Sequence, residues 1–116
     1  MAYLLGTDAI IEILKGSKKY EHFAGEDLFV TDVSMQEVCI LVLKEFGEEK
    51  AKDVFNIFFD RIIPIDKSFI MDATLFKVEN KTSFSDSIGY VVAKEKGLKF
   101  LTSNKYFVKF DSVEVC

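Results

Sequence analysis

Several residue types are scarce in this sequence of 116 residues, which has two cysteines, one histidine, one proline and no tryptophan. Two cysteines, Cys39 and Cys116, are too few for a disulfide framework or a zinc site. Cys39 lies in a helical pattern, where a small apolar residue is typical of the core. The single histidine, His22, has no evident partner, so we expect it at or near the surface.

Long apolar runs and a positive net charge are also missing. No apolar run approaches the roughly 20 residues that cross a bilayer, and Met1 is not followed by the pattern of a signal peptide. The net charge of -4 argues against a basic protein that coats duplex nucleic acid. We therefore expect a soluble, reduced, cytoplasmic protein with no membrane partner.

Apolar residues are plentiful, and the charge is distributed unevenly. Hydrophobic residues make up 49% of the chain and include 12 phenylalanines, enough to form the core of one domain spanning residues 1–116. Residues 1–60 carry 6 lysines against 12 acids, whereas residues 61–116 carry 9 basic residues against 7 acids. The second half could therefore attract an anion locally.

Strand-like and helix-like segments alternate along the chain. Short apolar runs predict strands at 2–5, 28–31, 62–65 and 99–102, with a further candidate at 112–116. Apolar residues at helical spacing predict helices at 8–16, 18–25, 34–47, 48–60, 67–80 and 85–97. This alternation predicts an α/β fold, a three-layer α/β/α sandwich with a central, mostly parallel sheet of four to five strands.

Oxygen-bearing side chains follow the predicted strands, where ligands bind in open α/β sheets. These residues are Gly6-Thr7-Asp8, then Asp32, Ser34 and Glu37, then Asp66, and finally Ser103-Asn104-Lys105. Asp86 opens the helix that leads into strand 99–102. Carboxylates gathered in one place repel each other unless a cation neutralises them, and Mg²⁺ prefers oxygen ligands. The pattern therefore indicates a divalent-metal site and phosphate chemistry.

Most of these residues also have a structural explanation. Ser34 and Glu37 form the S-x-x-E pattern of a capping box, and acids such as Asp8 and Asp86 are favoured in a first helical turn. Thr7 and Asp66 are candidate helix caps, and Asn104 is a typical turn residue. A group of lysines could follow a phosphate backbone or simply form a solvated face: Lys94, Lys96, Lys99, Lys105 and Lys109.

The whole chain resembles a PIN domain, and in particular the small VapC-type toxins of toxin–antitoxin pairs. The opening motif of that family reads as an apolar strand followed by Asp-Thr-Asn or Asp-Thr-Ser; here "LLGTDAII" has Gly6 in place of the first aspartate. "TDVSMQEV" supplies the glutamate of the second motif, Glu37, and "FSDSIGYVVAKEKGLKFLT" supplies the aspartate of the third, Asp86. In "TSNKYF", Asn104 and Tyr106 stand at the usual acidic positions of the fourth motif.

The resemblance implies a ribonuclease dependent on Mg²⁺ or Mn²⁺ that hydrolyses single-stranded or structured RNA. Asp8, Glu37 and Asp86 would be catalytic, and Asn104 would join them as a metal ligand. The resemblance also implies a homodimer and a cognate antitoxin that covers the site. Ser34 and Thr7 are candidates for contact with ligands or phosphate.

Two alternatives stay open at this point. Gly6, Asn104 and Tyr106 remove acids that the family carries, which favours a catalytically inactive PIN-like scaffold binding RNA or a protein partner. A receiver-like phosphoacceptor domain also has a parallel α/β architecture with acids at the strand ends. It requires an adjacent acidic pair after the first strand, which "LLGTD" lacks.

Overall fold

A parallel sheet of five strands forms the centre of the computed structural model, which describes all 116 residues. The strands are β1 (Ala2–Leu5), β2 (Asp27–Thr31), β3 (Ile62–Ile63), β4 (Lys99–Thr102) and β5 (Val113–Val115). Their order is β3-β2-β1-β4-β5, and every neighbouring pair is parallel. The predicted fold class is confirmed, and β3 stops before Pro64, which has no backbone N–H to donate.

Five α-helices connect and cover the strands: α1 (Thr7–Leu14), α2 (Asp32–Phe46), α3 (Glu48–Phe58), α4 (Ile70–Glu79) and α5 (Phe84–Lys96). Short 3₁₀ helices occupy Lys18–Phe23, Phe59–Arg61, Lys67–Phe69 and Lys105–Lys109. The helix predicted at 18–25 is thus a 3₁₀ segment, and the one at 67–80 begins with a 3₁₀ turn. None of the helices has both the length and the apolar character that crossing a bilayer requires.

The helices form a layer on each face of the sheet because successive strand side chains point to opposite faces. Tyr3 and Leu5 of β1 belong to a core cluster shared with α1, α2 and α3. Leu4, between them, belongs to the second cluster, shared with α4 and α5. In β4 the same alternation puts Phe100 in the second cluster and Leu101 in the first. Both faces of the strands are therefore buried, as their apolar sequences predicted.

The strand order brings the carboxyl ends of β1, β2 and β4 to one edge of the sheet. From β1 the sheet extends through β2 on one side and through β4 on the other, which is the topology that leaves a crevice at this edge. Gly6, just after β1, donates a backbone hydrogen bond of 2.8 Å to the carbonyl of Leu101. The starts of α1 and α2 and the chain after β4 therefore meet above this edge.

Candidate metal centre

An open depression of about 420 Å³ lies at the carboxyl edge of the sheet. Nine residues line it: Thr7, Asp8, Ile11, Glu37, Ser83, Ser85, Asp86, Ser103 and Asn104. All four residues predicted as metal ligands are among them, although they are spread over almost the whole chain. The lining contains three carboxylic acids and no lysine or arginine, so its acidic charge has no cationic partner within the depression.

Asp8, in the first turn of α1, is fixed by hydrogen bonds from the chain that follows β4. Its Oδ2 accepts from the backbone N–H of Ser103 at 2.7 Å, from the Ser103 hydroxyl and from Thr102 Oγ1 at 3.1 Å. Its Oδ1 accepts only the longer bond of 3.3 Å from Thr102 Oγ1. Oδ1 is therefore the oxygen of Asp8 with spare capacity to bind a further group.

Glu37 is an exposed residue of α2 whose carboxylate turns toward α1. Its Oε1 accepts a hydrogen bond of 2.6 Å from the hydroxyl of Thr7. The predicted capping box with Ser34 is wrong, because Thr31 Oγ1 caps α2 by accepting from the backbone N–H of Ser34 at 3.1 Å. The prediction that Thr7 caps α1 is also wrong, because Gly6 occupies the cap position. Glu37 is therefore free of a capping role.

Asp86 lies in the first turn of α5, which begins after the cap residue Ser83. The hydroxyl of Ser83 accepts from the backbone N–H of Asp86 at 3.1 Å, which orients this turn. Partial burial raises the pKa of the Asp86 carboxyl, and the negative charges of Asp8 and, more weakly, Glu37 raise it further. The polar side chains of Asn104 and Ser83 lower this pKa in part. Asp8 and Glu37 are thus close enough to Asp86 to disfavour its charged form.

Asn104 both lines the depression and shapes the turn after β4. Its Oδ1 accepts from the backbone N–H of Tyr106 at 3.0 Å and begins the 3₁₀ helix that follows, so the turn role predicted for it is present. The Asn104 backbone N–H in turn donates to Thr102 Oγ1 at 3.0 Å. A carbonyl oxygen has two lone pairs, so one remains for a ligand.

Other acids predicted at the strand ends have structural roles away from the depression. Asp32 accepts hydrogen bonds from the backbone N–H groups of Val33 at 2.9 Å and Ile65 at 3.1 Å, which fixes the chain after β3. Asp66 accepts from the backbone N–H of Ser68 at 2.9 Å and caps the 3₁₀ helix there, as predicted. Neither lines the candidate centre.

Further candidates from the sequence are also separate from the depression. Ser34 is fully buried, so the contact with ligand or phosphate predicted for it is not available. Tyr106 donates its hydroxyl to Asn80 Oδ1 at 2.9 Å, while the Lys109 ammonium lies 4.2 Å from the centre of its ring. None of the five candidate lysines lines the depression.

Two residues that support the site, Thr102 and Ser83, were not identified from the sequence. Thr102, the last residue of β4, is fully buried and bridges Asp8 and Asn104. Ser83 and Ser85 line the depression beside Asp86. The density of serine and threonine just before Asp86 and just after β4 was a usable signal, because hydroxyls commonly fix backbone and carboxylate groups at helix starts.

The fit of the site to a metal ion rests on its donor set. All its polar donors are oxygens, which suit a hard divalent cation. No group of three or more His, Cys, Asp or Glu side chains is arranged so that together they could hold a metal ion. Mg²⁺ is usually bound through one or two carboxylates and keeps several waters, so a complete protein cage is not required. The residues therefore fit an ion bound by few protein ligands.

Comparison of the sequence with protein families gives a match that covers nearly the whole chain. The sequence model of the PIN domain matches residues 3–113. No curated protein is significantly similar in sequence.

Solved structures with a similar fold include a toxin and chains of toxin–antitoxin complexes. A chain of a toxin–antitoxin complex from Klebsiella pneumoniae superposes with a TM-score of 0.81 and 20% identity, covering 97% of this chain and 96% of its own. VapC20 of Mycobacterium tuberculosis, a toxin that cleaves the sarcin–ricin loop, gives 0.73 and 15% identity, with 96% and 98% covered. A chain of VapBC2 from Rickettsia felis, bound to a promoter DNA fragment, gives 0.75 and 20% identity, with 100% and 99% covered.

Proposed function

The chain belongs to the PIN domain family, and from this premise we propose that it is a ribonuclease dependent on Mg²⁺ or Mn²⁺ and the toxin of a toxin–antitoxin pair. Its fold is similar to that of VapC20, a toxin that cleaves the sarcin–ricin loop. The observation that carries the proposal is the meeting of Asp8, Glu37, Asp86 and Asn104 in one depression without any basic residue.

Each acid has a distinct part in this proposal. Glu37 and Asp86 would hold the ion, because Glu37 keeps one carboxylate oxygen outside its bond to Thr7 and Asp86 opens into the depression. Asp8 would act on the ion through a water held by its Oδ1, and Asn104 would bind the ion or orient water. When bound, Mg²⁺ or Mn²⁺ activates water and stabilises negative charge at the scissile phosphate.

Cleavage of a labelled RNA, tested with and without Mn²⁺ or Mg²⁺, tests the enzyme directly. Asp86→Asn and Glu37→Gln keep the shape of each side chain and remove its charge. We expect each to lower cleavage by a factor of 100 or more, because both remove a charged group aimed at the ion. Asp72→Asn, an exposed acid on α4 outside the depression, is the matched control and should cleave like the wild type.

Titration calorimetry with Mn²⁺ separates the enzyme from its main alternative. The absence of a ready group of three acids favours a PIN-like scaffold that binds RNA or a protein without cleaving it. Stoichiometric Mn²⁺ uptake by the wild type that is lost in Asp86→Asn supports the enzyme. RNA binding without Mn²⁺ uptake and without cleavage would instead establish the scaffold.

We propose that the antitoxin occupies an apolar groove formed by α1, α2 and α3. The groove has a volume of about 560 Å³, and Leu41, Phe46 and Ile57 on its walls are largely exposed. Ile11 lines both this groove and the acidic depression, so a partner in the groove would adjoin the site. Charged residues on its rim, among them Lys50 and Asp53, suit an amphipathic segment.

We propose that a second copy of the chain binds the opposite helical layer. There α4 and the start of α5 expose Ile70, Met71, Val78 and Phe84, beside a second groove of about 390 Å³. Size-exclusion chromatography with light scattering tests whether the chain is a dimer and whether this layer forms the interface.

Two charge insertions separate the two surfaces when oligomeric state and inhibition of cleavage by the antitoxin are both measured. Val78→Asp should yield a monomer that a co-expressed antitoxin still inhibits, and Leu41→Asp should yield a dimer that the antitoxin no longer inhibits. A monomeric wild type would contradict the dimer, and inhibition unchanged in Leu41→Asp would contradict the groove assignment.

A further inference from the structure

The space above Gly6 is occupied by the carboxylate of Asp8. A Cβ atom added to Gly6 would lie 2.8 Å from Asp8 Oδ1, 3.2 Å from Phe100 Cζ and 3.5 Å from the Leu101 carbonyl oxygen. The Gly6 backbone, with φ of -68° and ψ of 162°, is extended and accepts any residue. A side chain at residue 6 is therefore opposed by lack of space, and the nearest obstacle is a catalytic candidate.

Asp8 is held firmly in this position. Thr102 and Ser103 anchor Oδ2, while Oδ1 faces the space over Gly6 with only one long hydrogen bond. A methyl group at residue 6 would have to push Oδ1 away, and it would also crowd the buried Phe100 ring. The side chain at residue 6 and this orientation of Asp8 consequently exclude each other.

We propose that Gly6 is a positioning residue whose missing side chain allows Asp8 to supply the acidic group that would otherwise come from residue 6. The carboxylate has moved two positions along the chain but still reaches the end of β1, so the depression keeps three acids. This inference rests on the proposed metal-dependent function. The segment "GTD" would then be a functional form of the site, because Asp8 can take its position only when residue 6 is glycine.

Variants that move the carboxylate from residue 8 to residue 6 test this dependence. Mn²⁺ affinity is measured by titration calorimetry on the full chain for the wild type, Asp8→Asn, Gly6→Asp, and the double variant Gly6→Asp with Asp8→Ala, in which the small residue 8 leaves room for the new carboxylate. Gly6→Asn with Asp8→Ala has the same bulk without the charge and is the matched control. Circular dichroism and thermal melting without metal verify that each variant is folded.

We expect Asp8→Asn to weaken Mn²⁺ binding by about tenfold or more, since it removes a charged donor. The charged double variant should recover wild-type affinity to within about threefold, and the uncharged double variant should not. Gly6→Asp alone should gain less than about threefold, because its carboxylate and that of Asp8 compete for one place. Gly6→Ala, the smallest intrusion, should weaken binding by displacing Asp8 and provides the test if the double variants do not fold.

Failure of this inference is distinguishable from failure of the proposed function. If the wild type binds Mn²⁺ but Asp8→Asn or Gly6→Ala binds it equally well, Asp8 does not replace an acid at residue 6. Glu37 and Asp86 would then still form a metal site. If Gly6→Asp alone raises Mn²⁺ affinity by about tenfold or more, residues 6 and 8 act independently. That result would also contradict the replacement of an acid at residue 6 by Asp8. If the wild type takes up no Mn²⁺, both the proposed role of Gly6 and the metal-dependent function are wrong.

Discussion

The backbone N–H of Ser103 donates a hydrogen bond of 2.7 Å to the carboxylate of Asp8, although 95 positions separate the two residues. The bond ties the first turn of α1 to the chain after β4, on the same side of the sheet as the candidate metal centre. Asp8 is thus both a functional candidate and a structural link. These two roles can be separated, because only the first requires a metal ion.

Replacement of Asp8 should destabilise the protein in the absence of metal. Asp8→Ala leaves the partly buried N–H of Ser103 and hydroxyl of Thr102 without their acceptor, at a cost of about 2–3 kcal/mol in the free energy of unfolding. Urea unfolding with EDTA present measures this loss. Asp72→Ala, which removes an exposed acid of α4, should change stability by less than about 0.5 kcal/mol. Equal stability of the two variants would show that the link to β4 contributes nothing.

Replacement of Asp86 should have the opposite effect at neutral pH. Burial and the charges of Asp8 and Glu37 raise the Asp86 pKa in the folded protein, so the charged form is disfavoured by folding. Asp86→Asn removes this charge and should therefore stabilise the metal-free protein, which urea unfolding with EDTA present measures. Added Mn²⁺ should raise the melting temperature of the wild type and leave that of Asp86→Asn unchanged.

The pH dependence of this difference has a definite sign. A carboxyl group whose pKa is raised on folding contributes most to stability below its ordinary pKa of about 4, and this contribution is lost as the pH rises through the raised value. The advantage of Asp86→Asn over the wild type should therefore be largest near neutral pH and disappear toward pH 4. An advantage that stays constant between pH 7 and 4 would contradict the assignment of the shift to Asp86.

Much of the fold and the membership of the site could be predicted because both depend on short-range pattern and on parallel topology. Apolar runs ended at the residues where β1 and β4 end, and polar residues after parallel strands must gather at one edge. Asp8, Glu37, Asp86 and Asn104 were brought together by that rule and by the resemblance of their motifs, with no knowledge of distances.

The caps and anchors could not be predicted in the same way. Thr31, three residues before Ser34, competes for the same role in capping α2, and the choice depends on where the strand ends. The bonds from Thr102 and Ser103 to Asp8 join distant segments, and spacing carries no information about them. The crowding between Gly6 and Asp8 is a matter of tenths of an ångström, which a sequence pattern does not encode.

A glycine inside α5 should be required for packing on the sheet. A Cβ atom at Gly89 would lie 2.6 Å from Cε1 of Phe100, whose ring is fully buried. Gly89→Ala should therefore cost about 1–3 kcal/mol in unfolding free energy from overpacking, more than the roughly 1 kcal/mol gained in helix propensity. Urea unfolding measures the net effect.

A second substitution identifies the cause of that loss. Phe100→Leu removes the part of the ring that meets the added methyl group, so the double variant with Gly89→Ala should lose less stability than the two single losses combined. Strictly additive losses would mean that Gly89 is needed for a reason other than the Phe100 ring.

The buried hydroxyl of Tyr20 should be a net cost to the fold. Tyr20 is 2% exposed, and its hydroxyl makes no hydrogen bond of good geometry, although the side chains of Ser103 and Cys116 lie near it. Burial, followed by the negative charge of Asp8, raises the pKa of Tyr20 to about 12, so the phenol stays neutral at ordinary pH. Tyr20→Phe removes an unsatisfied polar group without changing the ring, and we expect a gain of about 1 kcal/mol in the free energy of unfolding.

Tyr90→Phe is the matched control with the opposite sign. The Tyr90 hydroxyl donates to Asp111 at 3.2 Å, and its removal should cost about 0.5–1.5 kcal/mol. Destabilisation of similar size in both variants would show that the Tyr20 hydroxyl is satisfied in solution.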